Sequence, residues 1–338
     1  MYLASCALLE KDRMIQVKGS TTMETGHPSL KIGYLPTIYH TSFILMGTTA
    51  LDNDGVETEW TLFPSGPDIV NAISSGHIDL GYVGLPPVII GIDKGVRLAC
   101  IAGGHIEGTV MIAGKGVRTL DQCAGMAEFL AQFAGGVIGC PPRGSIHDVI
   151  VNELLKEHHI EDVRVRNYAW ADFLPDALIE GDIAVAAGTP ALAVAARRYY
   201  DARIVVQPPK LWPYNPSYGI VVTKELLNHE DPLRTFLLNH EEACEMVRHS
   251  PRTCARIVAQ TTGVVDEGFV EEAYQISPKY CASLPPEYIR STMQFVEALY
   301  SLGYISRQVD ETEIFDASLI KDVHPAPPHY ESRIQRTL

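Results

Sequence analysis

From residue 31 onward, short apolar runs of strand length alternate with segments of helical spacing, and this alternation restricts the chain to parallel sheets covered by helices. In "VETEWTLF", residues 56–63, Val56, Thr58, Trp60 and Leu62 face one way and Glu57, Glu59 and Thr61 the other, the period of a half-buried strand. "PSGPDIVNAISSG" then reads as a helix: Ser65 caps it, Asp68 stands three positions on, Ile69 and Ile73 share a face, and Gly76 stops it. "IDLGYVG" (78–84), "RLACIAG" (97–103) and "GTVMIAG" (108–114) are expected to complete the strands of a first lobe. A second unit opens with "GGVIGCPPRGSIHDVIVNELL", a strand over 136–140 followed by a Pro-Pro turn and a helix capped by Ser145 with Asp148 at its third position. "VRVRNYA", a helix over 172–180, "DIAVAAG", a helix over 190–200 and "ARIVVQP" continue it. The expected fold is α/β with two lobes, each a mostly parallel sheet flanked by helices, and extra helices toward the carboxyl end. Residues 30–115 with 218–320 are expected to form lobe 1 and residues 116–217 lobe 2. Residues 1–29 read as an extension, and the Pro- and His-rich stretch 321–338 as a tail without a core of its own.

A net charge of −14 repels phosphate backbones, and no basic run offsets it, so no nucleic-acid partner is expected. No stretch reaches the roughly 18 to 20 uninterrupted apolar residues that a membrane-spanning helix needs. The seven cysteines include no CxxC pair, and their odd number does not fit a complete disulfide framework. Cys100 and Cys140 lie in apolar strand-like runs and read as small buried hydrophobes.

In open parallel sheets, ligands are held outside the carboxyl ends of the strands by the loops that leave them. The first of these loops, "LPTIYHTS", sets Thr37, Tyr39, His40, Thr41 and Ser42 within six positions. Others are "FPSGPD" with Ser65 and Gly66, "GYVGLPP" with Gly84 and Leu85, "PPRGSIH" with Arg143, Gly144 and Ser145, "AAGTP" with Thr189, and "WPYNPSY" with Tyr214 and Asn215. Several run into a helix with Ser or Thr at its start, and free N–H groups there suit a carboxylate, sulfonate or phosphate. The plainer reading is that Ser65 and Ser145 only cap, that His40 and His147 are surface histidines, and that Tyr82 is core. Recurrence of one arrangement in both halves favours a binding cleft, because capping alone does not require aromatic and hydroxyl residues at every turn.

Catalytic signatures are weak. "GCPPRGS" is not the strained G-x-S-x-G elbow of a nucleophilic serine, and spacing assigns no base to Cys140 or Ser145. His105-x-Glu107 and His158-His159 each offer two ligands, which is fewer than a metal site requires, so no metal is expected. Neither GxGxxG after a strand nor a Walker sequence occurs, so no nucleotide cofactor is indicated.

The order "LKIGYLPTIYHTSFILMG", "FPSGPDIVNAISSGHIDLGYVGLPPVI", "GCPPRGSIHDVIVNELL" resembles the solute-binding proteins of ABC importers for nitrate, sulfonates, taurine and thiamine precursors, over roughly residues 30 to 320. The resemblance implies the two-lobed periplasmic-binding-protein fold of the second type, with ligand between lobes that close about a hinge. It implies a non-enzymatic monomer that binds a small organic anion or polar heteroaromatic and delivers it to a membrane permease, in the periplasm or at the cell surface. Thr37, Tyr39, His40 and Ser42 would form the first lobe's wall, extended by Ser65, Gly66, Gly84 and Leu85. Arg143, Gly144 and Ser145 would close from the second lobe, with Arg143 paired to the anion. Thr189, Tyr214 and Asn215 would add to them.

Pyrimidine-forming synthases related to yeast thiamine biosynthesis are similar in a "PT-x-YH" turn, matched by Pro36, Thr37, Tyr39 and His40. Their lysine for pyridoxal phosphate falls in a loop that here reads "GYVGLPPVI", without lysine or histidine, and their cysteine-rich segment is missing, so no cofactor is expected. The alternative is a cytoplasmic enzyme or ligand sensor on the same fold, with His40, His105 or Cys140 as the reactive group. Leu3-Ala4-Ser5-Cys6 is similar to a lipoprotein acylation signal, but such a signal needs a basic segment and about 7 to 15 apolar residues before it. Either the start is set too late or the match is fortuitous, the second being expected, and a start at Met14 or Met23 would give a cytosolic product.

Overall fold

The structure, a computed structural model, describes residues 29–331. The acylation-like tetrapeptide and both alternative starts lie outside them. Within these residues, ten strands form two sheets of five: β1 (Leu30–Tyr34), β2 (Thr58–Leu62), β3 (Leu80–Val83), β4 (Leu98–Ile106), β5 (Val110–Gly114), β6 (Val137–Cys140), β7 (Arg164–Asn167), β8 (Val185–Gly188), β9 (Ala202–Val206) and β10 (Pro216–Thr223). The first sheet runs β2-β1-β3-β10-β4 and the second β7-β6-β8-β5-β9. Three strands in each are parallel neighbours, and β10 and β5 are antiparallel to the strands on either side of them.

The two orders are the same pattern. Each sheet's antiparallel strand arrives directly from the other lobe, β5 after β4 and β10 after β9, so the chain crosses twice at one place. This corrects the expected boundary at residue 115. β5 is buried on both sides, so its apolar run carries no alternation to say which sheet it joins. It belongs to the second sheet, and the first crossing is the short segment 107–109.

Parallel strands hand the chain to helices with proline in the first turn, where its fixed φ and missing N–H fit. Such helices are Gly66–Ser74, Leu85–Asp93 and Pro190–Tyr199, whereas Ile146–Glu157 starts from its serine cap. Beyond β10 come the helices Glu230–His249, Pro251–Thr262, Glu267–Ile276 and Pro286–Ser301. They bury Phe236, Val258, Phe269 and Phe295, of which Phe269 lies under Arg198 of the helix Pro190–Tyr199 and Phe295 stacks on Trp212 with ring centroids 4.0 Å apart. The described part of the expected tail is not coreless. Tyr330 is wholly buried, stacks on Tyr288 and donates to Ser283 O at 3.0 Å. A single aromatic anchor outweighs the polar composition around it.

The two lobes are held together on both flanks. Arg198 on the second-lobe helix Pro190–Tyr199 pairs with Asp266 at 2.8 Å and Glu272 at 2.6 Å, next to an Arg197–Glu272 pair. On the other flank the Tyr304 hydroxyl donates to Asp148 at 2.7 Å.

Candidate functional site

The polar turn after β1 faces inward. Residues 37–45 are all buried, and the turn is closed by His40 N donating to Thr37 O at 2.8 Å. His240 explains much of its composition. Its Nε2 lies 2.8 Å from Gly103 O, which can only accept, so Nε2 carries the proton and Nδ1 accepts from Thr41 Oγ1 at 3.0 Å. Tyr218 in turn reaches Thr41 Oγ1 at 3.2 Å. His40 packs on the Tyr218 ring, centroids 4.1 Å apart, and burial, with His105 and His240 nearby, depresses its pKa well below the ordinary value. His40 and Thr41 therefore belong to the floor of the first lobe, with Tyr82, which is fully buried. Among the described residues, Ser42 Oγ and His40 Nδ1 have no hydrogen-bond partner.

Tyr39 reaches the start of β10 as well. Its hydroxyl lies 2.9 Å from Ser217 Oγ, just inside β10. Gly108 in the other crossing admits this pair, since a Cβ there would stand 2.6 Å from the Tyr39 hydroxyl and collide with Ser217. The crossings are stitched to each other: Glu107 N donates to Asn215 O at 2.8 Å, and Tyr214 N donates to Glu107 Oε1 at 3.0 Å. Glu107 and Tyr214 both adopt left-handed backbone, φ 60° and 59°, an arrangement that side chains disfavour and that these bonds hold. Glu107 also pairs with Lys279 at 2.9 Å. Burial first, then nearby carboxylates, push the Tyr214 phenol up to about 12.

The second lobe meets the first here. A Cβ at Gly84 would lie 3.5 Å from Ile146 Cβ and 3.3 Å from Ser217 O. His147, next along the helix, lies with Nδ1 3.0 Å from Thr109 Oγ1, and burial lowers its pKa to about 4. His147 is thus neutral and buried, not a surface residue. Asn215 is the most unusual side chain of the junction: it is fully buried, and neither its Nδ2 nor its Oδ1 has a hydrogen-bond partner among the described residues.

Other expected residues have local employment. Ser65, Ser145 and Thr189 cap their helices, accepting from Asp68 N at 3.4 Å, Asp148 N at 3.3 Å and Leu192 N at 3.3 Å. Gly66 lies under Pro87, Leu85 is wholly buried, and Thr37 is buried within the first turn. Gly144 takes a left-handed φ of 82° that lets its N–H donate to Asp148 at 2.8 Å. Arg143, expected to pair with an anion between the lobes, is exposed and lies over the Tyr304 ring at 4.6 Å. There it lines a groove of about 390 Å³ with Asp148, Asn152 and Asn167 of its own lobe and Tyr304 of the first. The thiol of Cys140 is buried and pushed well above its ordinary pKa by desolvation and then by Asp148, which leaves it protonated and unreactive at neutral pH. Burial likewise lowers His105 to about 3, and its Nε2 donates to Ser277 O at 2.6 Å.

Ser217, Gly108 and Thr109 were not singled out by the sequence. Ser217 lay within the quoted "WPYNPSY" loop, but Gly108 and Thr109 were absorbed in a run read as strand, and their role depends on a crossing that the sequence did not mark.

Comparison with known proteins agrees with this architecture. The ligand-binding component of an ABC-type import system from Staphylococcus aureus, solved with zinc bound, superposes with a TM-score of 0.73 at 19% identity, covering 89% of this chain and 100% of that one. The periplasmic aliphatic sulphonate binding protein SsuA of Escherichia coli gives 0.70 at 17% identity, covering 86% and 94%. The periplasmic nitrate-binding protein NrtA of Synechocystis PCC 6803 gives 0.71 at 12% identity, covering 91% of each. At these identities the likeness establishes a shared fold. An uncharacterised protein of Methanocaldococcus jannaschii is 28% identical over 120 residues, 28% of this chain and 83% of that protein. Residues 24–263, well over half of the chain, match the NMT1-like family, and the protein belongs to that family.

Proposed function

We propose that the protein is the solute-binding component of an ABC importer, taking a small organic anion or polar heteroaromatic between its lobes and passing it to a membrane permease outside the cytoplasmic membrane. The observation that carries the binding half of this reading is Asn215. A fully buried amide with both polar atoms unpartnered costs roughly 1 to 3 kcal/mol, a cost that a bound guest with matching groups removes. Tyr39, Ser217, Thr109 and His147 supply further uncharged polar groups at the same junction. Thr37, Ser42, Ser65, Gly84, Ser145 and Thr189 remain candidates for the walls of an opened cleft.

The charge at the junction favours one side of this ligand class. The carboxylate there, Glu107, is already neutralised by Lys279, and the Arg143 guanidinium is stacked on the Tyr304 ring, so a polar heteroaromatic bound through hydrogen bonds fits better than a fully charged sulfonate. The family relation supports the importer half, since solved proteins of the same fold are described as sulphonate-binding, nitrate-binding and importer ligand-binding proteins. The buried, protonated Cys140 and the neutral His40 and His105 weigh against an enzyme built on these groups. Native mass spectrometry of freshly purified protein, followed by calorimetric titration with an aminopyrimidine, an alkanesulfonate and nitrate, tests the reading. A retained small molecule and saturable binding of one of these probes support it. Failure of all three, with no retained mass, counts against it.

A further inference from the structure

Behind the junction, where Tyr330 lies against the Tyr214 ring, four side chains of different chemistry aim at one point. Glu241 lies on the helix Glu230–His249, Cys281 follows the short bridge between Tyr280 and His105, His324 ends the helix Ser318–Val323, and His329 lies five residues beyond it. One ligand atom from each falls within 4.8 Å of all the others. Cys281 Sγ is 3.4 Å from His324 Nε2, which is 3.1 Å from His329 Nδ1. Glu241 Oε1 is 3.6 Å from His324 Nε2 and 3.8 Å from His329 Nδ1.

Four of the six separations are close to a tetrahedron's edges. Four donors placed about 2.0 to 2.3 Å from a common centre stand roughly 3.3 to 3.7 Å apart, the spacing of sulfur, nitrogen and oxygen ligands around zinc. Two ring nitrogens that face each other at 3.1 Å, each also facing a carboxylate oxygen, need either a shared proton or a cation between them. A thiolate, two imidazoles and a carboxylate form a donor set suited to a divalent ion of intermediate softness.

We infer that Glu241, Cys281, His324 and His329 form a zinc site that clips the carboxyl-terminal segment to the first lobe. Its surroundings are built for the purpose. Ser283 Oγ lies 3.0 Å from the sulfur, and the N–H of His329 donates to it at 3.4 Å, contacts of the kind that orient a thiolate ligand. Glu241 is aimed by Ala282 N, which donates to Oε2 at 2.8 Å, and by Arg248, 2.9 Å from Oε1. The Cys281 segment is fixed on β4 through Gly103 N to Ala282 O at 2.8 Å. Three prolines in "HPAPPH" limit the path between the histidines, and buried Tyr330 anchors the chain directly after His329. His329 is about one-third exposed, which leaves a route for the ion to enter. All four positions come from the protein, so the site has the closed coordination of a structural zinc and no open position for chemistry.

The test uses full-length protein prepared without a polyhistidine tag. Elemental analysis should find zinc near one equivalent per chain, and a chelator should lower the unfolding temperature reversibly. Cobalt(II) in place of zinc should give a near-ultraviolet thiolate charge-transfer band that Cys281→Ser abolishes. His329→Ala, at a partly exposed position, should keep the fold by circular dichroism and weaken zinc binding by about a hundredfold in competition with a chromophoric chelator. The inference is overturned if the wild-type protein takes up no zinc at micromolar concentration, if the cobalt band survives Cys281→Ser, or if His329→Ala binds zinc as tightly as the wild type. None of these readouts depends on the ligand of the lobe junction.

Discussion

Replacing Asn215 by leucine should make the ligand-free protein more stable and the binding of its guest weaker. The two side chains have nearly the same shape, so the exchange removes a buried amide with no partner while keeping its volume. An unpaired polar group of this kind costs about 1 to 3 kcal/mol, and that cost disappears with the amide. For roughly 300 ordered residues the unfolding entropy converts this into a rise of about 2 to 5 °C. The same exchange removes as many as two hydrogen bonds to the guest, which corresponds to a roughly tenfold to hundredfold loss of affinity. Thermal unfolding by circular dichroism on protein stripped of ligand gives the first quantity, and calorimetric titration with the molecule recovered from native protein gives the second. An Asn215→Leu variant that melts earlier and binds equally well would refute the reasoning, because the amide would then be satisfied by the protein and serve its packing.

Four further outcomes follow from named contacts. His147 is buried, with its pKa lowered to about 4 against about 6.5 in the unfolded chain, so between these values the unfolded state binds more protons. Stability should therefore fall as pH drops from about 6.5 to 4, by at most roughly 3 kcal/mol from this residue, and His147→Gln should flatten that part of a urea-midpoint against pH profile. Asp148 accepts from Gly144 N, Asn152, Asn167 and Tyr304, so Asp148→Ala should cost about 3 to 5 kcal/mol in urea unfolding, and a cost below about 1 kcal/mol would contradict the network. Arg143→Ala should lower stability by roughly 0.5 to 1 kcal/mol through its lost Tyr304 contact and leave ligand affinity within about twofold, whereas a tenfold loss in calorimetry would bring Arg143 into the cleft. Arg198→Ala should loosen the closed lobes and speed ligand release by about three- to tenfold in stopped-flow measurements, although Arg198 is not among the proposed ligand contacts; an unchanged off-rate would mean the pairs with Asp266 and Glu272 do not hold the lobes shut.

What the sequence disclosed and what it concealed divide along the range of the forces involved. Ser65 and Ser145 were legible as caps because a cap and its partner N–H are three residues apart. The strand and helix periods were legible for the same reason. The sheet joined by β5 was not, because a strand buried on both faces has no pattern to orient it. The inward turn of His40 and Thr41 depends on Tyr218 and His240, far along the chain, and a local reading sees only polar side chains after a strand. Arg143 could be placed on its loop but not aimed, since Tyr304 comes from the far side of the sequence. Asn215 was recognisable as a loop residue, yet its burial and lack of partners emerge only where the two crossings meet. The tail looked unstructured by composition, and Tyr330 and the histidines before it find their partners only in the folded first lobe.

The direct measurement is a crystal structure of the protein with its retained guest. The account predicts one molecule between the sheets, bonded to the Asn215 amide and touching both the Tyr39–Ser217 pair of the first lobe and the start of the Ile146–Glu157 helix of the second. A guest seated on one lobe alone, with Asn215 still unpartnered, would contradict it.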